Sequence, residues 1–187
     1  NKISFLCNMI KWLYCLLCTM IVHVLQAQIH TVQLFPSGSP TSLPIIHLKE
    51  QNTLELHFDD FDANYKNLYY TIELLQMDGK STDYSISEYL RGFPSNKVTK
   101  FEASSVAKQP YYHYQINFPN ESCAPKLSGV YSIKVYEEAT PEKIIVQKTF
   151  YVTEDIVSVF GSIEEPFDYN FTKTHQKVSF QVDAKNI

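Results

Sequence analysis

Asp59, Asp60, Asp62 and Asn64 form the densest group of oxygen ligands in this 187-residue chain. The spacing Asp60-x-Asp62-x-Asn64 reproduces the first three ligand positions of an EF-hand calcium loop. That loop also needs glycine at its sixth position, for the sharp turn, and a bidentate glutamate at its twelfth. Here those positions hold Tyr65 and Thr71, which excludes the EF-hand. Two readings stay open: a looser calcium site on a sheet edge, or turn chemistry, in which Asp and Asn side chains accept from backbone N–H groups two residues on. Turn duty alone accounts for these residue types, so no metal ligand is assigned.

Other chemistry is thinly supplied. His30, His47, His57, His113 and His175 are scattered, and none stands at metal-ligand spacing from another His or Cys. His57 beside Asp59 and Asp60 is a weak triplet, and a solvated strand histidine is the plainer reading. Ser104 and Ser105 have no base marked out near them, and no nucleophile elbow occurs. Five glycines make no phosphate-binding loop. Glu164 and Glu165 are adjacent, so an extended backbone sends them to opposite faces, where they cannot act on one glycosidic oxygen. The expectation is a protein without catalytic residues, cofactor, metal or small-molecule substrate.

The N-terminal stretch narrows the setting. Lys2 and Lys11 precede an apolar run from Trp12 to Leu25, broken only by Thr19 and His23, that leads to Ala27. Basic flank, apolar centre and small residue form a secretory signal pattern over residues 1–27, with cleavage expected after Ala27. The run is short for a bilayer span, which needs ~20 residues. Without that stretch the chain keeps 14 basic and 20 acidic residues, net −6. Such acidity argues against a nucleic-acid partner. Of four cysteines only Cys123 remains, so no disulfide within the mature stretch is expected. An exported chain that relies on its core rather than on disulfides fits a bacterial periplasm.

Strands must position whatever this chain presents. Leu54, Leu56 and Phe58 alternate with Glu55 and His57; Tyr114, Ile116 and Phe118 alternate with Gln115 and Asn117. This period of two predicts strands at 31–35, 44–48, 53–58, 69–76, 98–103, 111–118, 130–136 and 144–152, with one helical turn at 85–90. Even spacing and frequent turn residues predict an all-β, immunoglobulin-like sandwich over 28–154. Leu127-Ser-Gly129-Val-Tyr131, at the mouth of a late strand, predicts a tyrosine corner, whose phenol bonds back to the upstream backbone. Beyond Asp155, strands near 156–163 and 177–182 predict the beginning of a second β domain, truncated at 187. The tyrosine-rich stretches Tyr65 with Tyr69-Tyr70, and Tyr111-Tyr112-His113-Tyr114, read either as cross-strand pairing or as partner contacts. Tyr70 and Tyr112 are the outward candidates.

Taken in order, several segments resemble one family. They are Thr31-Val-Gln-Leu-Phe-Pro36, His57-Phe-Asp-Asp-Phe-Asp-Ala-Asn64, Leu68-Tyr-Tyr-Thr-Ile-Glu73, Ser87-Glu-Tyr-Leu-Arg-Gly-Phe93, Tyr112-His-Tyr-Gln-Ile-Asn-Phe-Pro-Asn120 and Leu127-Ser-Gly-Val-Tyr-Ser-Ile-Lys-Val-Tyr136. Pro141-Glu-Lys143 and Thr174-His-Gln-Lys-Val178 continue the match. The family is the plug protein of the type IX secretion system of Bacteroidota. Its usual Cys- and Trp-containing stretch is replaced here by Leu74-Leu-Gln-Met-Asp-Gly-Lys80. The resemblance implies a non-enzymatic periplasmic subunit whose partner is the outer-membrane translocon barrel. Alternatives of other classes are a carbohydrate-binding or adhesion module, and an accessory domain of a secreted hydrolase.

Overall fold

The computed structural model describes residues 29–184 apart from 63, 106 and 155. The signal pattern over residues 1–27 lies outside the described residues. Thirteen strands follow one another: β1 (Ile29–Pro36), β2 (Ile45–His47), β3 (Leu54–Asp60), β4 (Leu68–Leu75), β5 (Leu90–Gly92), β6 (Asn96–Lys97), β7 (Lys100–Ala103), β8 (Tyr112–Phe118), β9 (Cys123–Pro125), β10 (Gly129–Glu137), β11 (Thr140–Thr153), β12 (Ser158–Glu164) and β13 (Lys177–Asp183). One helical turn, α1 (Ile86–Tyr89), precedes β5, and a 3₁₀ turn spans Tyr169–Phe171.

Two sheets make the sandwich, ordered β1-β3-β8-β7 and β2-β11-β10-β4-β6. Lettered in chain order, these are the A-B-E-D and C-F-G groupings of an immunoglobulin-like fold. The extra strand β2 lies parallel to β11, with Ile45 opposite Tyr151. The alternation decides which side chains turn inward. β3 sends Leu54, Leu56, Phe58 and Asp60 into the interior and leaves Glu55, His57 and Asp59 half-buried outside. β4 contributes Leu68, Tyr70, Ile72 and Leu74, and β10 contributes Tyr131, Ile133 and Val135. Phe118, Phe150 and Tyr131 pack ring against ring between the sheets, with centroids 5.1 and 5.4 Å apart.

The strand expected over 98–103 starts only at Lys100, and a separate short strand precedes it. Asn96–Lys97 pairs with β4 in one sheet, and Lys100–Ala103 pairs with β8 in the other. Val98 is buried between them, so the chain crosses from sheet to sheet at an apolar residue that fills the interior. The short pair β5–β9 was not expected either. Gly92 ends β5 with φ +98°, and a Cβ there would stand 2.1 Å from the Ser122 carbonyl oxygen.

β12 and β13 form an antiparallel hairpin that pairs Val159 with Val182, Gly161 with Phe180 and Ile163 with Val178. These pairs share one face by strand alternation. Its five apolar side chains are between 51% and 73% exposed.

Candidate functional site

The acidic turn is closed by its own backbone and by one lysine. Asp62 N–H donates to Asp60 Oδ1 at 2.9 Å, and Asn64 N–H donates to Asp62 Oδ1 at 3.3 Å, as in Asx-turns. Asp60 is fully buried, and its other oxygen lies 2.7 Å from Lys66 Nζ. The same ammonium stands 3.3 Å from Asp62 and 3.9 Å from Glu137. An ammonium thus sits where a calcium ion would have to approach Asp60. Burial alone pushes the Lys66 pKa down, but Asp60 and Asp62 outweigh it and hold it above the usual lysine value. Sequence reading missed Lys66, because a lone lysine six residues after an aspartate carries no signal of its own.

A second polar line crosses the outer face of the four-stranded sheet. The Ser37 hydroxyl donates to Glu55 Oε1 at 2.6 Å, and Glu55 Oε2 lies 3.1 Å from His57 Nε2. His57 Nδ1 is 3.0 Å from His113 Nε2, and His113 Nδ1 is 2.7 Å from Asp59 Oδ1. Antiparallel pairing of β3 with β8 brings these residues together across 56 positions of sequence. The Ser37 hydroxyl, and then His57, lower the pKa of Glu55. Its stabilisation is present above the ordinary carboxylate value and is lost as pH falls through the lowered one. Among the described residues no three His, Cys, Asp or Glu side chains converge to enclose an ion.

The two tyrosines singled out by sequence part company. Tyr70 is only 4% exposed. It is not an outward residue, because β4 turns Leu68, Tyr70, Ile72 and Leu74 inward as one set. Its hydroxyl accepts from Asn120 Nδ2 at 3.0 Å. Tyr112 is half-buried in an aromatic cluster with the more exposed Tyr65 and Phe101, whose ring centroids lie 6.2 and 6.3 Å from its own. Tyr65 and Phe101 meet at 4.8 Å. Phe101 is on the edge strand β7, and Tyr65 comes from the turn between β3 and β4. The cluster therefore caps one rim of the sandwich and presents aromatic surface to solvent, as protein-binding patches do.

Leu127, Gly129 and Tyr131 stand at the start of β10. The buried Tyr131 hydroxyl donates to the Leu127 carbonyl oxygen at 2.9 Å, and burial pushes its pKa up to about 12. Gly129 has φ +153°, with Leu74 Cδ1 2.9 Å from where a Cβ would lie. Tyr131→Phe is expected to cost about 1 kcal/mol, since it removes one hydrogen bond and leaves the Leu127 carbonyl without that donor. Urea denaturation of the two proteins measures it, and coincident midpoints would exclude a pinning role for this phenol.

The family described as "Type 9 secretion system plug protein 1st domain" matches residues 29–154. A crystal structure of a hypothetical protein from Parabacteroides merdae superposes with a TM-score of 0.80 at 32% identity. The alignment covers 86% of this chain and 41% of that one, so this chain spans well under half of that relative's length. An alkylpurine DNA glycosylase from Pseudomonas fluorescens, bound to abasic-site DNA, aligns at a TM-score of 0.36 with 14% identity over 67% of this chain and 30% of its own, too loosely to bear on fold or function. No curated protein matches.

Proposed function

The chain belongs to the type 9 secretion system plug protein family, and on that premise we propose that it is a periplasmic plug subunit that binds the outer-membrane translocon and keeps it closed until a substrate arrives. The match of the plug family's first domain to residues 29–154 carries this reading. The architecture supports it: a pore wide enough for folded proteins needs a rigid folded body to close it, and a two-sheet sandwich is one. The protein acts by binding, not by catalysis. The rim cluster of Tyr65, Phe101 and Tyr112 is the proposed contact surface, because mixed aromatic and polar surfaces suit interfaces that must also release. Residues 1–27 are the proposed export signal, and the hairpin β12–β13 is the proposed start of a second β domain.

Deleting the gene is expected to make the outer membrane leaky to large solutes without loss of any enzyme activity. Affinity capture of the tagged protein from detergent-extracted envelopes is expected to bring down a very large outer-membrane barrel. Tyr112→Ala combined with Phe101→Ala should reduce that capture at a temperature where the melting curve shows the variant still folded, since Tyr112 also packs against the core. A deletion strain with a normal permeability barrier and normal translocon complexes would refute the proposal. Recovery of polysaccharide with no barrel would favour a carbohydrate-binding module instead.

A further inference from the structure

We propose that the open edge of β11 between Ile144 and Thr149 is a binding groove for one extended strand of a protein partner, a segment of alternating apolar residues with a carboxylate at either end. β11 is 14 residues long, yet among the described residues its sheet neighbour on the side away from β10 is β2 alone, which covers only Tyr151–Thr153. The Tyr151 N–H turns away from β10 and donates to the Pro44 carbonyl oxygen at 2.9 Å. In an antiparallel ladder the backbone groups of successive residues turn to opposite sides. The N–H and C=O groups of Gln147 and Thr149 therefore turn the same way as those of Tyr151, and among the described residues no strand pairs with them. The side chains of both are exposed. The parallel pairing of β2 shows that this edge accepts a further strand.

The groove beside this edge suits such a segment. Its volume is about 480 Å³, within the range of ligand-binding clefts. Ile29 and Val32 of β1 line one side, and Ile144 and Val146 of β11 the other. β1 belongs to the other sheet, so it borders the groove without pairing with β11. A strand laid against Gln147 and Thr149 turns every second side chain between these walls, where apolar residues lose water. Charge selects among such strands. Lys143 and Lys148 line the groove near the two ends of the open stretch, and neither forms an ion pair among the described residues. The Lys66 ammonium, also on the groove, is already held by Asp60 and Asp62. An edge lysine discourages an apolar or basic strand, because its ammonium would lose water without gaining a partner, and it favours one that brings a carboxylate. The proposal rests on the reading of the chain as a partner-binding subunit and adds a second contact to it. The groove lies at the β1 margin of the sandwich, whereas Phe101 of the rim cluster lies at the β7 margin.

The test titrates the protein into a fluorescein-labelled heptapeptide that alternates valine with threonine and carries glutamate at both ends. Saturable binding of one peptide per chain is expected in fluorescence anisotropy, and amide exchange at Gln147 and Thr149 should slow at saturation. The counterpart with lysine at both ends should bind about tenfold more weakly or worse. Thr149→Pro removes one outward N–H and leaves the ladder to β10 whole, so it should weaken binding about tenfold while the melting curve stays that of a folded protein. Lys143→Glu combined with Lys148→Glu should reverse the preference, so that the lysine-ended peptide binds the better of the two. That gain separates a change of charge from a loss of fold. Absence of saturable binding by the unmutated protein, equal affinity for the two peptides, or slowed exchange at Phe101 and Ala103 in place of Gln147 and Thr149 would overturn the proposal. The titration contains no translocon, so a failure of the groove and a failure of barrel capture are told apart.

Discussion

Gly92→Ala is expected to unfold at urea concentrations where Gly79→Ala remains native. Both glycines have φ in the left-handed region, +98° and +82°, so both substitutions strain the backbone. The surroundings separate them. A Cβ on Gly79 meets nothing within 4 Å, whereas one on Gly92 lies 2.1 Å from the oxygen and 2.4 Å from the carbon of the Ser122 carbonyl. That carbonyl is a backbone group that accepts from Phe93 N–H at 2.7 Å, so it has no flexible end to swing aside. Relief requires parting β5 from β9, which pair through Gly92 and the buried Cys123. The expected loss is about 1 kcal/mol for Gly79→Ala and about 3–5 kcal/mol for Gly92→Ala. Equal urea midpoints for the two would show that the corner yields cheaply.

The second large effect follows from the buried carboxylate. Lys66→Met keeps the length and apolar stem of the side chain and removes the ammonium 2.7 Å from Asp60. Asp60 is left fully buried with the Asp62 N–H and no cation. Stripping one partner from a buried pair costs roughly 3 kcal/mol, because the remaining charge has lost its compensation. The double change Lys66→Met with Asp60→Asn should lose less than Lys66→Met alone, since it removes the stranded charge as well. A double variant no more stable than the single one would show that the pair is not the source of the loss. The pH dependence has a definite sign. The Lys66 pKa is raised on folding, so its contribution is fully present below the ordinary lysine value and is lost as pH rises through the raised one.

Period-two alternation placed most strands, because a strand with one face in the core writes that face into every second residue. Leu54, Leu56 and Phe58 are the clearest case. What escaped were features set by partners distant in sequence. The crossing at Val98 depends on which sheet each flanking strand joins, and that information lies in β4 and β8, not in the segment itself. The pair β5–β9 is three residues a side, too short to show a period. Tyr70 and Tyr112 are both tyrosines beside tyrosines, and only the phase of their strands tells inside from rim. The line from Glu55 through His57 and His113 to Asp59 needed the β3–β8 register, which no local pattern supplies. The family resemblance was legible because it rests on ordered segments and not on any single site.

The parallel seam between β2 and β11 bears on how the chain comes to be folded. Ile45 finds its partner only in Tyr151, and the Thr153 hydroxyl reaches the Ile46 carbonyl across 107 positions. Loop closure of that span must precede any reward from the contact, which makes such pairing slow. A chain emerging from its N-terminal end therefore keeps Ile45–His47 without its strand partner until β11 has appeared. Throughout that interval the growing chain holds an open sheet edge, the kind of surface that invites pairing with other chains and that chaperones shield. Assembly is thus governed by the last long strand of the sandwich to arrive, and a chain cut short before Tyr151 would be a species prone to aggregate, not a smaller stable domain.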